Sequence, residues 1–482
     1  MDSEQHAIGA TMEQQTATAA NTTKAKFVSH FLKGVLAIRS KLSTLSSEDA
    51  VAKDLSAFAK LILHDFPWTF VYSDWTGQSI RLGQGNPHWW HDAKGDEALY
   101  FHVRNVQAAR DILGFAGKAS GMELLKDYVT GSIDMRGNMF LLAWIRKHKD
   151  FDLDKLEMLL QVARHRIFQT QERSVVNVRS HYDISEEFIN AYLGATLSYS
   201  CAWWEDPYDL SSEKLLKNGF GPDDGDTLDK AQVRKFTHAA NYANPMDGET
   251  VLDVGCGYGE QILIGAKLFP RAKWYGVTAS KVQAAEANRR IIASGLEGIA
   301  HIACCEYREA PAVFGIEEFD HILSTGMACH VGPNGQEPYT QWVRDHMRRG
   351  GRYMLHVMMR PWTGKPLESF VGAAFNMEYV WPGFDWDTYG EWLCVMEKNG
   401  FHVMESINLS QHYSATTASW YLRMMANRER SVELVGEQTV RAWEIYLSGA
   451  STNFQTKRGI GDSRADFSAP TITVRRLLCV KL

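Results

Sequence analysis

The stretch VLDVGCGYGE, residues 251–260, limits the fold more than any other part of this 482-residue chain. It starts as an apolar strand, sets Asp253 two residues ahead of Gly255, and repeats glycine at Gly257 and Gly259 before a helix-like segment. Glycines in that place let the chain turn tightly and let a ligand approach the backbone. The spacing is G-x-G-x-G, not the G-x-G-x-x-G of dinucleotide loops. From about residue 245 onward, apolar runs such as AKWYGVTAS, IAHIACCEYRE, FDHILSTGM and GGRYMLHVMM alternate with helical ones such as KVQAAEANRRIIASG. Strand and helix in alternation predict an α/β fold, a mostly parallel sheet with helices on both faces.

The rest of the chain reads differently. Residues 1–24 are polar, lack the apolar core of a signal peptide, and are expected to be disordered. A smaller α+β domain is expected over 25–155. It contains a helix in DAVAKDLSAFAKLILHDF, a hairpin turning at Thr76-Gly77, a strand running into a helix in LYFHVRNVQAARDILGF, and two short helices before residue 150. A helical connector and lid is expected over 156–245, and the sheet domain over 246–482. Within the latter, about 362–412 reads as an aromatic lid insertion, and the helix TVRAWEIYLSGASTNF and the strand TITVRRLLCVKL close the chain.

Composition removes several classes of function. A length of 482 residues with 45% hydrophobic content supports two or three domains and a large core. A net charge of -6 gives no basic field for nucleic acid. Seven cysteines without a C-x-x-C pair argue against a disulfide framework or structural zinc, and fit a reducing cytoplasm. No apolar run approaches the ~20 residues of a spanning helix. The pair Cys329-His330 is a poor catalytic dyad, because neighbours in extended chain point apart. Cys304-Cys305 reads as buried at a strand end, and the acidic insert 219–230 as a surface loop.

The glycine loop is similar to that of class I S-adenosylmethionine (SAM) methyltransferases, which implies a Rossmann-like sheet. The acid expected at the end of the next strand is absent; GVTASKVQ supplies Thr278, Ser280 and Gln283 instead. That element, with HYDISEEFINAYLGATLSYSCAWWED (181–206), EYRE (306–309), NMEYVWPGFDW and HYSATTASW (412–420), resembles the cyclopropane-fatty-acid and mycolic-acid cyclopropane synthases. The likeness runs from about 165 to the C-terminus, and weakly into the N-terminal domain.

The resemblance implies roles by position. Tyr199, Ser200, Asp253, Gly255, Gly257, Gly259, Thr278, Ala279, Gln283, Glu306 and Tyr307 would hold SAM. Cys201, His356, the main chain near Met358, and Tyr413 match the family's holders of a bicarbonate ion that serves as general base. A fifth holder, a glutamate, is replaced: the family's M-F-E-H-V-G reads M-A-C-H-V-G here, with Cys329 at the acid and Ala328 at the aromatic. Two outcomes stay open. Bicarbonate remains on Cys201, His356 and Tyr413, or the ion is gone and His356 or Tyr413 handles the proton. His181 and Tyr182 would orient the lid.

The chemistry implied is methyl transfer from a sulfonium to a poor nucleophile. An alkene acceptor leaves a carbocation, which needs a dry cavity, aromatic faces and a base. Trp203, Trp204, Phe375, Tyr379, Trp381, Phe384 and Trp386 are candidate walls. The leading expectation is methyl or methylene transfer to the double bond of an unsaturated acyl lipid. The rival is C- or N-methylation of a small natural product, favoured by Cys329; a non-catalytic SAM-binding regulator is the third. No metal and no nucleic acid are expected, while a homodimer and peripheral membrane contact stay open.

Overall fold

The structure is a computed structural model. It describes residues 47–64, 66, 68–83, 98–115, 121–148, 185–332, 334–360, 375–376, 378–380, 387–455 and 472–482. The expectations for 1–24, 156–184, His181, Tyr182, Trp381, Phe384 and Trp386 lie outside the described residues.

The first part holds a small sheet. Helix α1 (Glu48–Leu63) precedes strands β1 (Phe70–Asp74), β2 (Ser79–Leu82) and β3 (Leu99–Val103). Helices α2 (Val106–Phe115) and α3 (Gly121–Thr130), strand β4 (Ile133–Gly137) and helix α4 (Phe140–His148) follow. The order is β2-β1-β3-β4, with β1 and β3 parallel and the outer pairs antiparallel. In β1 and β3 alternate residues are buried, as a strand with one face on a core requires. The expected hairpin is present. The stretch expected as two helices contains β4 between them: Ile133 and Met135 are buried two apart, a strand period too short to show against the flanking helices.

The second part is a seven-stranded sheet. Helix α5 (Glu186–Leu193) and the long α6 (Leu228–Ala243) lead into it. Then β5 (Thr250–Val254), α7 (Glu260–Leu268), β6 (Lys273–Thr278), α8 (Lys281–Ala293), β7 (Ala300–Cys304) and β8 (His321–Thr325) alternate. Helix α9 (Gln336–Asp345), β9 (Arg352–Met359), α10 (Tyr389–Lys398) and β10 (Phe401–Asn408) continue, before helices α11 (Ser410–Ala426), α12 (Arg428–Val435) and α13 (Glu437–Phe454) and strand β11 (Thr473–Lys481). The order β10-β11-β9-β8-β5-β6-β7 puts β5 near the middle. Strands β5 to β9 pair in parallel; β11 is antiparallel to both neighbours. Central β5 is buried on both faces, Asp253 included, as a strand in a covered parallel sheet must be. From Tyr389 on, the segment expected as a lid is the helix α10 and the edge strand β10.

One apolar core links the two sheets, running from Val51 to Cys479. Polar anchors reinforce the contact. Buried Glu444 of α13 accepts from Tyr128 Oη of α3 and, at 2.7 Å, from Arg428 Nε. Arg441 bonds Asp134 of β4 at 2.9 Å.

Candidate functional site

Because the strand order reverses at β5, with β6 and β7 on one side and β8 and β9 on the other, loops at the carboxyl ends of the parallel strands surround one crevice. A cavity of about 640 Å³ occupies it. The glycine loop forms one wall. Gly255 has φ +83, and a Cβ there would lie 2.5 Å from Met327 Cβ, so only glycine fits. Gly257 (φ +53) also lines the cavity. Gly259 does not: it starts α7 in a left-handed conformation, and a Cβ would meet Ile302 Cδ1 at 2.6 Å. Its expected ligand role becomes close packing of α7 on the sheet.

At the end of β6, Thr278 Oγ1 donates to Gln283 Oε1 at 2.8 Å, and Ser280 caps α8 through the Gln283 amide. This neutral pair, with Ala279, stands where an acid was expected, and it leaves the Gln283 amide as a donor. Glu306 and Tyr307 line the cavity after β7, with Glu306 tied to Arg308 at 2.6 Å. Cys305 lines it too, and Cys304 is exposed, contrary to the expectation of burial: β7 is an edge strand.

A second group of lining residues, the floor, comes from separate elements. Tyr199, Ser200, Cys201, Cys329, His356, Met358 and Tyr413 all border the cavity. They arrive from the loop after α5, the turn after β8, strand β9 and helix α11. The segment 198–201 is pinned by Gln232 Nε2, which donates to the Ser198 and Ser200 carbonyls. Cys201 Sγ donates to Ala202 O and Leu409 O, and burial pushes its thiol up to about 12, so it stays neutral.

His356 is buried, and neither ring nitrogen has a hydrogen-bond partner among the described residues. Burial, reinforced by Arg476 and Lys235, holds it well below the ordinary imidazole range, hence neutral. Cys329 lies on a 3₁₀ turn, Met327–His330, not on extended chain. The dyad fails for a different reason: the Cys329 sulfur accepts the Met358 amide at 3.3 Å, and burial pushes the thiol up to about 12. The Met358 main chain is therefore already spent within the protein. His330 also lines the cavity, pulled down to about 4 by burial.

Two residues of the floor carried no signal in the sequence. Lys235 of α6 and Arg476 of β11 are both fully buried behind Ser200, Cys201 and His356. Arg476 pairs with His356 in the β9–β11 ladder, donates to His238 Nδ1 at 3.0 Å and lies over Trp203. Such lone cations in helix and strand patterns read as solvated; only the fold shows them inside.

Several expected walls are packing instead. Trp203 stacks on His238 with centroids 4.3 Å apart, and Trp204 is buried with Nε1 on Thr416. Phe375 stacks on Tyr379 and does not border the cavity. The aromatic faces near the floor are Tyr199 and Tyr413, both backed by Trp420. The acidic insert is more than a surface loop. Asp229 is buried and accepts from the Ala195 and Gly219 amides, and Asp226 accepts from Glu205 N, so its acids anchor the chain around 194–206. Among the described residues no three His, Cys, Asp or Glu side chains cluster as a metal site.

The sheet order, the glycine loop at its centre and the crevice beside it define a Rossmann-like SAM-dependent methyltransferase fold. Solved structures agree on the fold. A cyclopropane synthase from Mycobacterium tuberculosis superposes with TM-score 0.53 at 21% identity, over 64% of this chain and 98% of that one. A mycolic acid cyclopropane synthase complexed with SAH and CTAB gives 0.52 at 24%, over 64% and 98%. The chain belongs to the mycolic acid cyclopropane synthetase family, whose model matches residues 169–459. Curated relatives include a probable fatty acid methyltransferase of Pseudomonas putida, 29% identical over 57% of this chain and 64% of that protein. A sphingolipid C9-methyltransferase of Candida albicans is 28% identical over 59% and 53%. The chain thus spans less than two thirds of either relative.

Proposed function

We propose that this protein transfers a methyl or methylene group from SAM to the double bond of an unsaturated acyl lipid. The observation that carries it is the floor: a buried neutral imidazole with both nitrogens unpartnered among the described residues, in a cavity that Tyr199 and Tyr413 also line. The lipid class is supported by relatives named for fatty acid and sphingolipid methylation. When bound, SAM supplies an electrophilic methyl on a sulfonium.

The cavity fits that group. Gly255 and Gly257 leave backbone exposed at the loop, the Thr278–Gln283 pair offers neutral hydrogen bonding for ribose hydroxyls, and Asp253 Oδ1 is buried with no partner among the described residues. The chain's own residues then do three things. The loop and the β6 end would hold the cofactor beside the floor, supplying proximity. The rings of Tyr199 and Tyr413 stabilise positive charge as it develops on the acceptor. His356 accepts the proton that the methylated carbon skeleton loses, and its electron pair stays behind to close a ring or a new double bond. Bicarbonate is not needed in this scheme, because His356 takes the proton, and the Met358 amide expected to hold the ion serves Cys329.

The test is incubation with SAM and unsaturated phospholipid or ceramide, read by mass spectrometry. The expected product is heavier by one CH₂ unit. Loss of the olefin marks cyclopropanation; its retention marks methyl branching. No gain across chain lengths removes the lipid reading and leaves C- or N-methylation of a small molecule, which the Cys329 substitution favours. Unchanged turnover in bicarbonate-depleted buffer supports the ion-free scheme.

A further inference from the structure

Lys235 is fully buried in mid-helix α6, on the face that also carries Gln232. Residues three apart share a helix face, so both side chains reach the segment 198–201. The Lys235 Nζ donates to Ser200 Oγ at 2.6 Å, its one side-chain hydrogen bond among the described residues. No carboxylate among the described residues forms an ion pair with it, although Asp253 is near enough to act on it through space. Arg476, whose guanidinium meets the Lys235 carbonyl at 3.4 Å, adds a second positive charge to the same interior.

A buried ammonium is costly without a negative partner. Burial pulls Lys235 down to about 7 and raises the Asp253 carboxyl to about 7, so the wall holds the ammonium weakly and Asp253 supplies only part of the balance. Glu260 also acts on it only through space, so no described residue supplies the remaining partner in contact. The geometry says where it belongs. A hydroxyl has one proton and two acceptor sites. Lys235 donates to the Ser200 oxygen, so the Ser200 proton is left for an acceptor in the cavity that Ser200 borders. Asp253 Oδ1, on the same cavity and without a partner among the described residues, presents the opposite polarity. A donor backed by a cation and a separate carboxylate form a receptor for a zwitterion.

We propose that Lys235, acting through Ser200, is the positioning residue for the α-carboxylate of SAM, with Asp253 taking its α-ammonium. This rests on the SAM reading above and names what that reading left out. Lys235 touches no ligand itself; it commits Ser200 as a donor and neutralises the carboxylate that Ser200 holds.

The test uses the full chain and two ligands, SAM and decarboxylated SAM, titrated by calorimetry. The wild type is expected to prefer SAM. Lys235→Met weakens SAM by about 10- to 100-fold, the value of a hydrogen bond to a charged group, and leaves the decarboxylated ligand within about twofold. Ser200→Ala, which keeps the buried ammonium and tests the same contact if Lys235→Met folds poorly, erases the same preference. Equal weakening of both ligands by either variant shows a merely structural role and overturns the proposal. So does a wild type indifferent to the carboxylate. A wild type that binds neither ligand overturns the cofactor reading itself.

Discussion

The two ends of the cavity are built by different means. The cofactor end is mostly local: strand ends, a glycine loop and a capped helix from consecutive segments between residues 251 and 309, with Ser200 and Lys235 reaching it from outside. The floor is mostly side chain: Cys201, Cys329, His356 and Tyr413 on separate elements, with Lys235 and Arg476 behind them. An end made by local turns tolerates sequence change wherever the turn geometry and its few polar side chains are kept. An end made of side chains changes its chemistry with a single replacement, as Cys329 shows.

The largest effect that would sharpen this contrast is at Gly255. Gly255→Val puts a branched side chain at φ +83 and into Met327, 2.5 Å away. SAM binding should become undetectable by calorimetry while the thermal unfolding transition remains; retained binding would break the claim that the backbone reads the cofactor. At the floor, His356→Gln should lower kcat by about 10²- to 10⁴-fold with SAM affinity nearly unchanged, a split seen in single-turnover and binding assays. Loss of binding in place of turnover would put the imidazole at the wrong end.

Acid should also separate the ends. His238 and His412 act as acceptors, from Arg476 Nη1 and from the Trp204 amide, so both stay neutral in the fold, pulled down to about 4 from an ordinary value of 6.5, mainly by burial. Between those values the unfolded chain binds protons that the folded one refuses, so stability is lost as pH falls from 6.5 toward 4. His330 and His356 act in the same direction. Asp253, raised to about 7, acts in the opposite one, since its carboxyl is protonated in the fold while still ionised in the unfolded chain. Urea unfolding across that range should show the loss, with the double variant His238→Gln/His412→Gln flattening it. The smallest effect is expected at Cys329→Ala, which leaves the Met358 amide unpaired and should cost about 1 kcal/mol in the same urea measurement.

Legibility followed the same division. The loop 251–260, the Thr278–Gln283 pair and the strand–helix alternation are local patterns, so the sequence alone places them and the parallel sheet. Cys201, His356 and Tyr413 came from motif likeness, and the fold brings all three to one floor. What stayed hidden depends on distance along the chain. Lys235 and Arg476 look like ordinary surface charges until α6 and β11 are packed together. Trp203 and Trp204 carry the right chemistry for a cavity wall, but their rings face His238 and Thr416. Gly259 matched the motif yet serves helix packing. Strand β4 was masked by two strongly helical neighbours.

The placement of β11 has a consequence for how the protein is made. Although it follows every other strand in the chain, it lies between β9 and β10. On a ribosome, both neighbours emerge with open edges and must wait for residues 473–481 before either is covered. An uncovered edge is an invitation to pair with another chain. The newborn protein is thus most exposed to misassembly in the interval between the emergence of β10 and the arrival of β11, and Arg476 enters the floor in the same event that covers the edge of β9.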